Sequence, residues 1–301
     1  MDEHCTFLQA GELSAIVGDD TPRGPGGRQY SGIWSLIHTA CSVSPFQGAY
    51  AGLIAGAHRG SGPRLERLGE ASARLVRTPT EKTPAFETRG SYTLAPPHYV
   101  DYTFEAIYQA GAERAPNPDM SGLGTPPDPA VFTWCSYMNS PLDRSIHFIE
   151  NDVWTTLAPV IHGEAASVFP KGLDDAHRES WERRAGEARF AEQATNFHHS
   201  FSGKSFDYPF YFGLIHGMAF LLMADHHRDF RFYISPSGAG PSAVPGLASP
   251  AWDFTWLNWR PQPGQTRTLH VRLAFFMPHH YLVNSQVWQE WSTFRQLHPV
   301  Q

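Results

Sequence analysis

The sequence predicts an all-β protein built as an antiparallel β-sandwich or jelly roll, and three observations carry that expectation. The chain holds 26 Gly and 25 Pro, residues that cost a helix interior about 1 and 3 kcal/mol each. Aromatic residues make up 13% and charged residues 17%, against about 25% charged in an ordinary domain. Rings to fill a core are therefore abundant, which excludes a disordered chain. Finally, apolar and polar residues alternate with period two at many places along the chain, separated by Gly/Pro-rich turns.

The clearest alternation is Tyr99–Tyr108, where Val100, Tyr102, Phe104, Ala106 and Tyr108 share one face and Tyr99, Asp101, Thr103 and Glu105 the other. Val131–Met138, Ser145–Ile149, Phe230–Ile234, Trp252–Trp259 and Thr268–Met277 behave the same way, and Phe210–Met223 reads as two strands or one long bent one. One surface helix is expected near 174–193, opened by Asp174 and Asp175, whose carboxylates suit a helix start. Long loops are expected at Thr21–Gln29, Gly111–Ala130 and Ser235–Pro250, and loops of that length often carry function. No composition break or repeat divides the chain, so a single domain over 1–301 is expected, long enough to bury a large core without staples.

Net charge is −6, with no run of Lys or Arg, so neither nucleic acid nor a membrane surface is an expected partner. The acidic start lacks the basic and apolar regions of a signal peptide. The longest apolar run, Gly213–Ala224, includes His216 and is far short of the ~20 residues that span a bilayer. A soluble, cytoplasmic protein is expected. Strand edges and Trp-rich faces are compatible with a homo-oligomer. Cys5, Cys41 and Cys135 are widely spaced, with no C-x-x-C pair, which argues for small buried thiols rather than disulfides or a zinc knuckle.

Phosphate-loop, nucleophile-elbow and H-E-x-x-H signatures are absent from the sequence. Gly238-Ala-Gly240 has the glycine spacing of a dinucleotide turn, but Val-Pro-Gly follows where a helix N-terminus would have to hold the pyrophosphate. The unusual residue is histidine, with 16 copies. In His162-Gly-Glu164 the two side chains at i and i+2 of a strand share a face, and they are the first candidates for acid–base work. Together with His216 they would make a two-His-one-carboxylate set for Fe(II). With Arg228 as an anion site, that pattern resembles 2-oxoglutarate oxygenases. The plainer reading of His216, inside an apolar run, is a hydrogen-bonded core histidine.

A second constellation mixes rings and fixed charges. Trp134, Tyr137, Trp154 and Trp252 offer flat apolar faces, and Arg89, Arg231, Asp253 and Glu150 offer donors and acceptors. Sugars need that mixture, because a pyranose has a C–H face and a hydroxyl edge. Arg89, Trp134, Arg231, Trp252 and Asp253 are therefore candidate substrate-binding residues, and His147 with Glu150 is a reserve acid–base pair. The competing reading makes these Trp residues core and the Arg and Asp a structural ion pair.

Pro209–Asp225, Arg231–Gly240 and Pro250–Phe254, with Tyr30–His38 and Tyr50–Leu53 followed by His58, resemble segments of uncharacterised bacterial proteins with a galactose-mutarotase-like β-sandwich. The resemblance covers about half the chain in short pieces. It implies a supersandwich fold and a role in carbohydrate metabolism, and it adds His38 and His58 as candidate site residues. The expected function is hydrolysis, elimination or isomerisation of a sugar or glycoside, with no cofactor required. The Fe(II) oxygenase is one alternative and a non-catalytic sugar-binding protein another.

Overall fold

The computed structural model describes residues 3–21, 30–48, 50–55, 62–79, 86–109, 130–161, 164–173, 201–236, 249–258, 262–279 and 281–301. Eighteen strands and one long helix are found among them.

A small antiparallel sheet contains β1 (Cys5–Ala10), β2 (Leu13–Gly18) and β3 (Gly32–His38). A second sheet of nine strands comprises β5 (Arg64–Arg67), β6 (Ser72–Arg77), β7 (Phe86–Ala95), β8 (Tyr99–Tyr108), β10 (Ile146–Glu150), β11 (Val153–Leu157), β14 (Phe210–Ile215), β15 (Met218–Ala224) and β18 (Thr266–Phe276). Its order is β11-β10-β14-β15-β18-β8-β7-β6-β5. The third sheet has six strands: β4 (Ile54–Ala55), β9 (Ala130–Cys135), β12 (Ser167–Pro170), β13 (Phe201–Phe206), β16 (Phe230–Ser235) and β17 (Ala251–Asn258). They follow the order β13-β12-β16-β17-β9-β4, with β12 and β13 the parallel pair. Antiparallel pairing dominates, as the alternation requires, and β8 occupies the ten residues its pattern marks out.

The two large sheets face one another across the main core. Tyr102 and Phe104 of β8, Phe220 and Leu222 of β15 and Leu273 of β18 meet Trp134 of β9, Phe232 of β16 and Trp252, Phe254 and Trp256 of β17. Such a face-to-face sandwich turns every second residue of each strand into the core between the sheets. Packing is tight enough to dictate glycine at one strand position: a Cβ at Gly213 would sit 2.2 Å from the Trp252 ring.

The other face of the nine-stranded sheet is apolar over β14 and β15, where Phe210, Phe212, Leu221 and Met223 would meet water. Helix α1 (Val283–Leu297) covers them, burying Val287, Trp291 and Phe294. These positions at i, i+4, i+8 and i+11 with Val283 form the stripe a packed helix needs. Sequence reading did not foresee this helix, and the helix expected near 174–193 lies outside the described residues. Most of the three expected long loops lie outside them as well. The three cysteines are free thiols. Among the described residues no helix is long and apolar enough to cross a membrane.

Candidate functional site

At one margin of the nine-stranded sheet, three turns and the helix meet around an open cleft of about 350 Å³, lined among others by Glu12, His38, His98, Gln286, Gln289 and Glu290. Glu12 lies in the β1–β2 turn, His38 ends β3, His98 immediately precedes β8, and Glu290 projects from α1. The turns are locked together through backbone. Glu12 N–H donates to Pro97 O at 2.7 Å, and Thr39 N–H donates to Glu12 O at 2.9 Å. Gly11 makes the approach possible: its φ is +55°, and a Cβ there would lie 2.4 Å from Pro97 O. Only glycine takes that conformation at no steric cost, so the turn that presents Glu12 to His98 depends on it.

The side chains form one chain of imidazoles and carboxylates. The backbone N–H of Ala40 donates to His38 Nδ1 at 3.0 Å, which makes Nδ1 the acceptor and leaves the proton on Nε2. That Nε2 donates to Glu12 Oε2 at 3.0 Å. The same carboxylate oxygen lies 3.6 Å from His98 Nδ1, and His98 Nε2 donates to Glu290 Oε1 at 3.3 Å. Tyr99 O–H donates to Glu290 Oε2 at 2.7 Å. His98 is thus held between two carboxylates, with its ring stacked on Phe276 at 5.1 Å and edge-on to Tyr99 at 4.8 Å.

Burial works to raise the Glu290 carboxyl, but hydrogen bonds from His98 and Tyr99, reinforced by the charges of His98 and Arg272, outweigh it and hold the group below the ordinary carboxylate value. Glu290 is therefore an anion at neutral pH. Burial first, and then the bond to Glu290, push the Tyr99 phenol well above its usual value, so it stays a donor. Behind them Arg272 grips Asp101 with two bonds, of 2.6 and 2.9 Å. Its guanidinium lies 4.4 Å from the Tyr99 ring centroid, and this cation over an aromatic face fixes the ring that positions Glu290.

Of the residues singled out from the sequence, His38 lies in this cleft. His58 and His162 lie outside the described residues. Glu164 is exposed in a turn, and His216 is exposed at the β14–β15 turn with φ +51°. The core setting expected for His216 is corrected: it occupies a hairpin tip, where the turn requires positive φ. Among the described residues no three His, Cys, Asp or Glu side chains are grouped to hold a metal ion.

His147 stacks on Phe212 at 4.7 Å, with its Nε2 3.7 Å from Asp143, and burial lowers its pKa. Glu150 instead accepts from Ser205 N–H at 2.6 Å. Three positions apart on one strand, the two point to opposite faces of β10. Arg89 pairs with Glu87 across 2.7 Å on the open face of the nine-stranded sheet.

Trp134 and Trp252 belong to the core rather than to the wall of a cleft. Both are fully buried, Trp134 stacked on Phe254 at 4.9 Å and Trp252 donating its indole N–H to Arg144 O at 3.2 Å. Arg231 and Asp253 share the outer face of the six-stranded sheet beside Tyr233, Asp253 directly opposite Tyr233 across the β16–β17 pair. Both are buried, Arg231 5.5 Å from the Tyr233 ring centroid and Asp253 accepting from Ser136 N–H at 2.8 Å. The cleft residues missed by sequence reading are Glu12, His98, Gln286, Gln289 and Glu290. Their single sequence signal is His98 standing at the mouth of a strongly alternating strand.

No protein family and no curated protein matches the sequence. Among solved structures, the chain is similar to an Escherichia coli K12 protein assigned as an aldose 1-epimerase, at 12% identity and a TM-score of 0.49, over 91% of this chain and 99% of that one. It is similar to the galactose 1-epimerase of Lactobacillus acidophilus at 10% identity and 0.38, over 91% and 94%. The 4-alpha-glucanotransferase of Thermococcus litoralis gives 9% and 0.44, over 91% of this chain and 38% of that one.

Proposed function

We propose that the protein is a carbohydrate-active enzyme that moves protons on a sugar in the cleft lined by Glu12, His38, His98 and Glu290. The single observation carrying this reading is the row of His38, Glu12, His98 and Glu290 opening on a cavity, with hydrogen bonds from His38 to Glu12 and from His98 to Glu290, and Glu12 and His98 3.6 Å apart between them. An imidazole held beside carboxylates can take up a proton and give one back, the requirement of general acid–base catalysis. His98 is the central acid–base group, because both its nitrogens face carboxylates. Glu290 orients it and balances the imidazolium, and Glu12 links it to His38.

The substrate class follows from the rest of the lining. Gln286 and Gln289 each offer an amide donor and acceptor, Thr39 a hydroxyl, and Phe276 and Met277 an apolar floor. That combination suits a ring with a C–H face and a hydroxylated edge.

The test is turnover. Aldoses, uronic acids and nitrophenyl glycosides are incubated with the protein in D₂O and followed by proton NMR, which registers isomerisation, elimination and hydrolysis alike. Turnover should fall at least about 100-fold in His98→Gln, as expected for loss of a general acid–base group. Full activity in His98→Gln and Glu290→Gln would sink the reading. Saturable sugar binding without turnover would make the cleft a recognition site.

A further inference from the structure

We propose that a second cleft, on the opposite flank of α1 from the His/Glu site, binds a small organic cation of the quaternary or methylated ammonium class. It measures about 260 Å³ and is lined by Ile149, Asp152, Trp154, Tyr208 and Trp288. Trp288 and Glu290 are two residues apart and hence about 200° apart around the helix, so the two clefts open on different sides of α1.

Four elements present the lining. Ile149 comes from β10, Trp154 from β11, Tyr208 from the turn before β14, and Trp288 from α1. Tyr208 meets Trp288 edge to face, with centroids 5.1 Å apart and planes at 72°. Both indoles contact one wholly buried ring, Phe210, at 6.0 and 6.5 Å. The aromatic groups are thus braced from beneath, and Trp288 remains 39% exposed, open to a ligand.

Asp152 supplies the charge. It forms the β10–β11 turn with Asn151, both at positive φ (62° and 53°), and its N–H donates to Asp207 Oδ2 at 2.7 Å. That bond fixes the turn that brings Asp152 to the wall of the cleft. Asp152 is the single charged side chain among these lining residues. A carboxylate and three aromatic side chains lining one cleft favour a cation, and methyl groups on nitrogen make good contact with aromatic faces. A sugar would need several fixed donors and acceptors around its edge. The His/Glu cleft has them, and this one offers a lone carboxylate beside aromatic N–H and O–H groups.

The experiment is a titration of the full chain, read by tryptophan fluorescence because Trp154 and Trp288 lie in the cleft. Choline and tetramethylammonium are compared with 3,3-dimethylbutan-1-ol, the uncharged isostere of choline, and with methyl glucoside. A saturable response to both cations is expected, with at least tenfold weaker binding of the isostere. Trp288→Ala and Asp152→Asn should each weaken choline binding at least tenfold. Asn tolerates positive φ at the turn, which keeps the second variant folded. His98→Gln should leave choline binding unchanged, a result that separates this site from the proposed active site. Equal affinity for the uncharged isostere overturns the proposal by showing a merely apolar cleft. Saturation by methyl glucoside without choline overturns it in favour of a glycan platform. No saturable response to either cation also overturns it.

Discussion

Replacing Trp291 by alanine tests how α1 is held to the sheet. The side chain is 1% exposed and contacts Phe210 at 5.3 Å, Phe294 at 5.9 Å and Tyr208 at 6.2 Å. Truncating a buried Trp costs about 3–5 kcal/mol in lost transfer energy and cavity formation. Its indole N–H, however, is buried without an acceptor, and removing an unsatisfied donor returns about 1 kcal/mol or more. The net expectation is a loss of about 2–4 kcal/mol. At about 2–4 °C per kcal/mol for chains of this order of size, Tm should fall by about 4–16 °C. The companion Trp291→Phe keeps most of the ring and removes the orphan donor, so it should cost under about 1.5 kcal/mol. Urea unfolding by circular dichroism reads both, with the slope checked for constancy. A loss under about 1 kcal/mol in Trp291→Ala would refute the view that this residue anchors α1. Equal losses in the Phe and Ala variants would refute the treatment of the indole N–H as a liability.

Acid should weaken the fold in two steps. Burial lowers the pKa of His147, His227 and His298, so each contributes stability that is full above its unfolded value of about 6.5 and lost as pH falls through the folded value. Glu290 is depressed likewise, and its contribution disappears lower, below about 4.3. Urea midpoints should therefore drop between pH 7.5 and 5.5, and His147→Phe, which keeps the stack on Phe212, should flatten that slope. Asp101→Asn leaves the Arg272 guanidinium without its carboxylate. Because Asp101 is about one-third exposed, solvent screening reduces the cost from that of a fully buried pair to about 1–3 kcal/mol, readable as a lower midpoint. Gly213→Ala would push a methyl into the Trp252 ring and should cost about 1–3 kcal/mol or more. A Gly213→Ala midpoint equal to the parent's would show that Trp252 can move aside.

The strands were legible because each large sheet turns one residue in two into the core between the sheets, and that alternation survives in the sequence wherever the other face is wet. Phe210–Met223 shows less of it, since both faces of β14 and β15 are covered, one by the opposite sheet and one by α1. The helix itself escaped notice for a reason visible at its start. Leu282 stands at the N-cap without a side-chain hydrogen bond, and no acidic residue occupies the first turn, so the usual starting signals are missing. Its apolar stripe was there to be read. The site was harder. Glu12, His38, His98 and Glu290 come from four separated segments brought together by turn contacts and by the packing of α1 on the sheet, and nothing local in the sequence links a turn glutamate to one on a distant helix. Trp134 and Trp252 show the opposite limit: composition marks an aromatic residue as valuable without saying whether it faces a ligand or another ring.

The centre of the nine-stranded sheet joins β8 to β18, strands separated by more than 150 residues of chain. A ribosome adding about 5–20 residues per second therefore finishes β8 on the order of ten seconds before its partner exists. During that interval a ten-residue strand shows an unpaired edge, the kind of surface that recruits a second nascent chain. Asp101 and Glu105, on the face of β8 away from the main core, place charge along that waiting edge and make such recruitment costlier. How much intact protein a cell recovers is then set partly by the pace of translation, and slower synthesis lengthens the exposure that these two carboxylates have to cover.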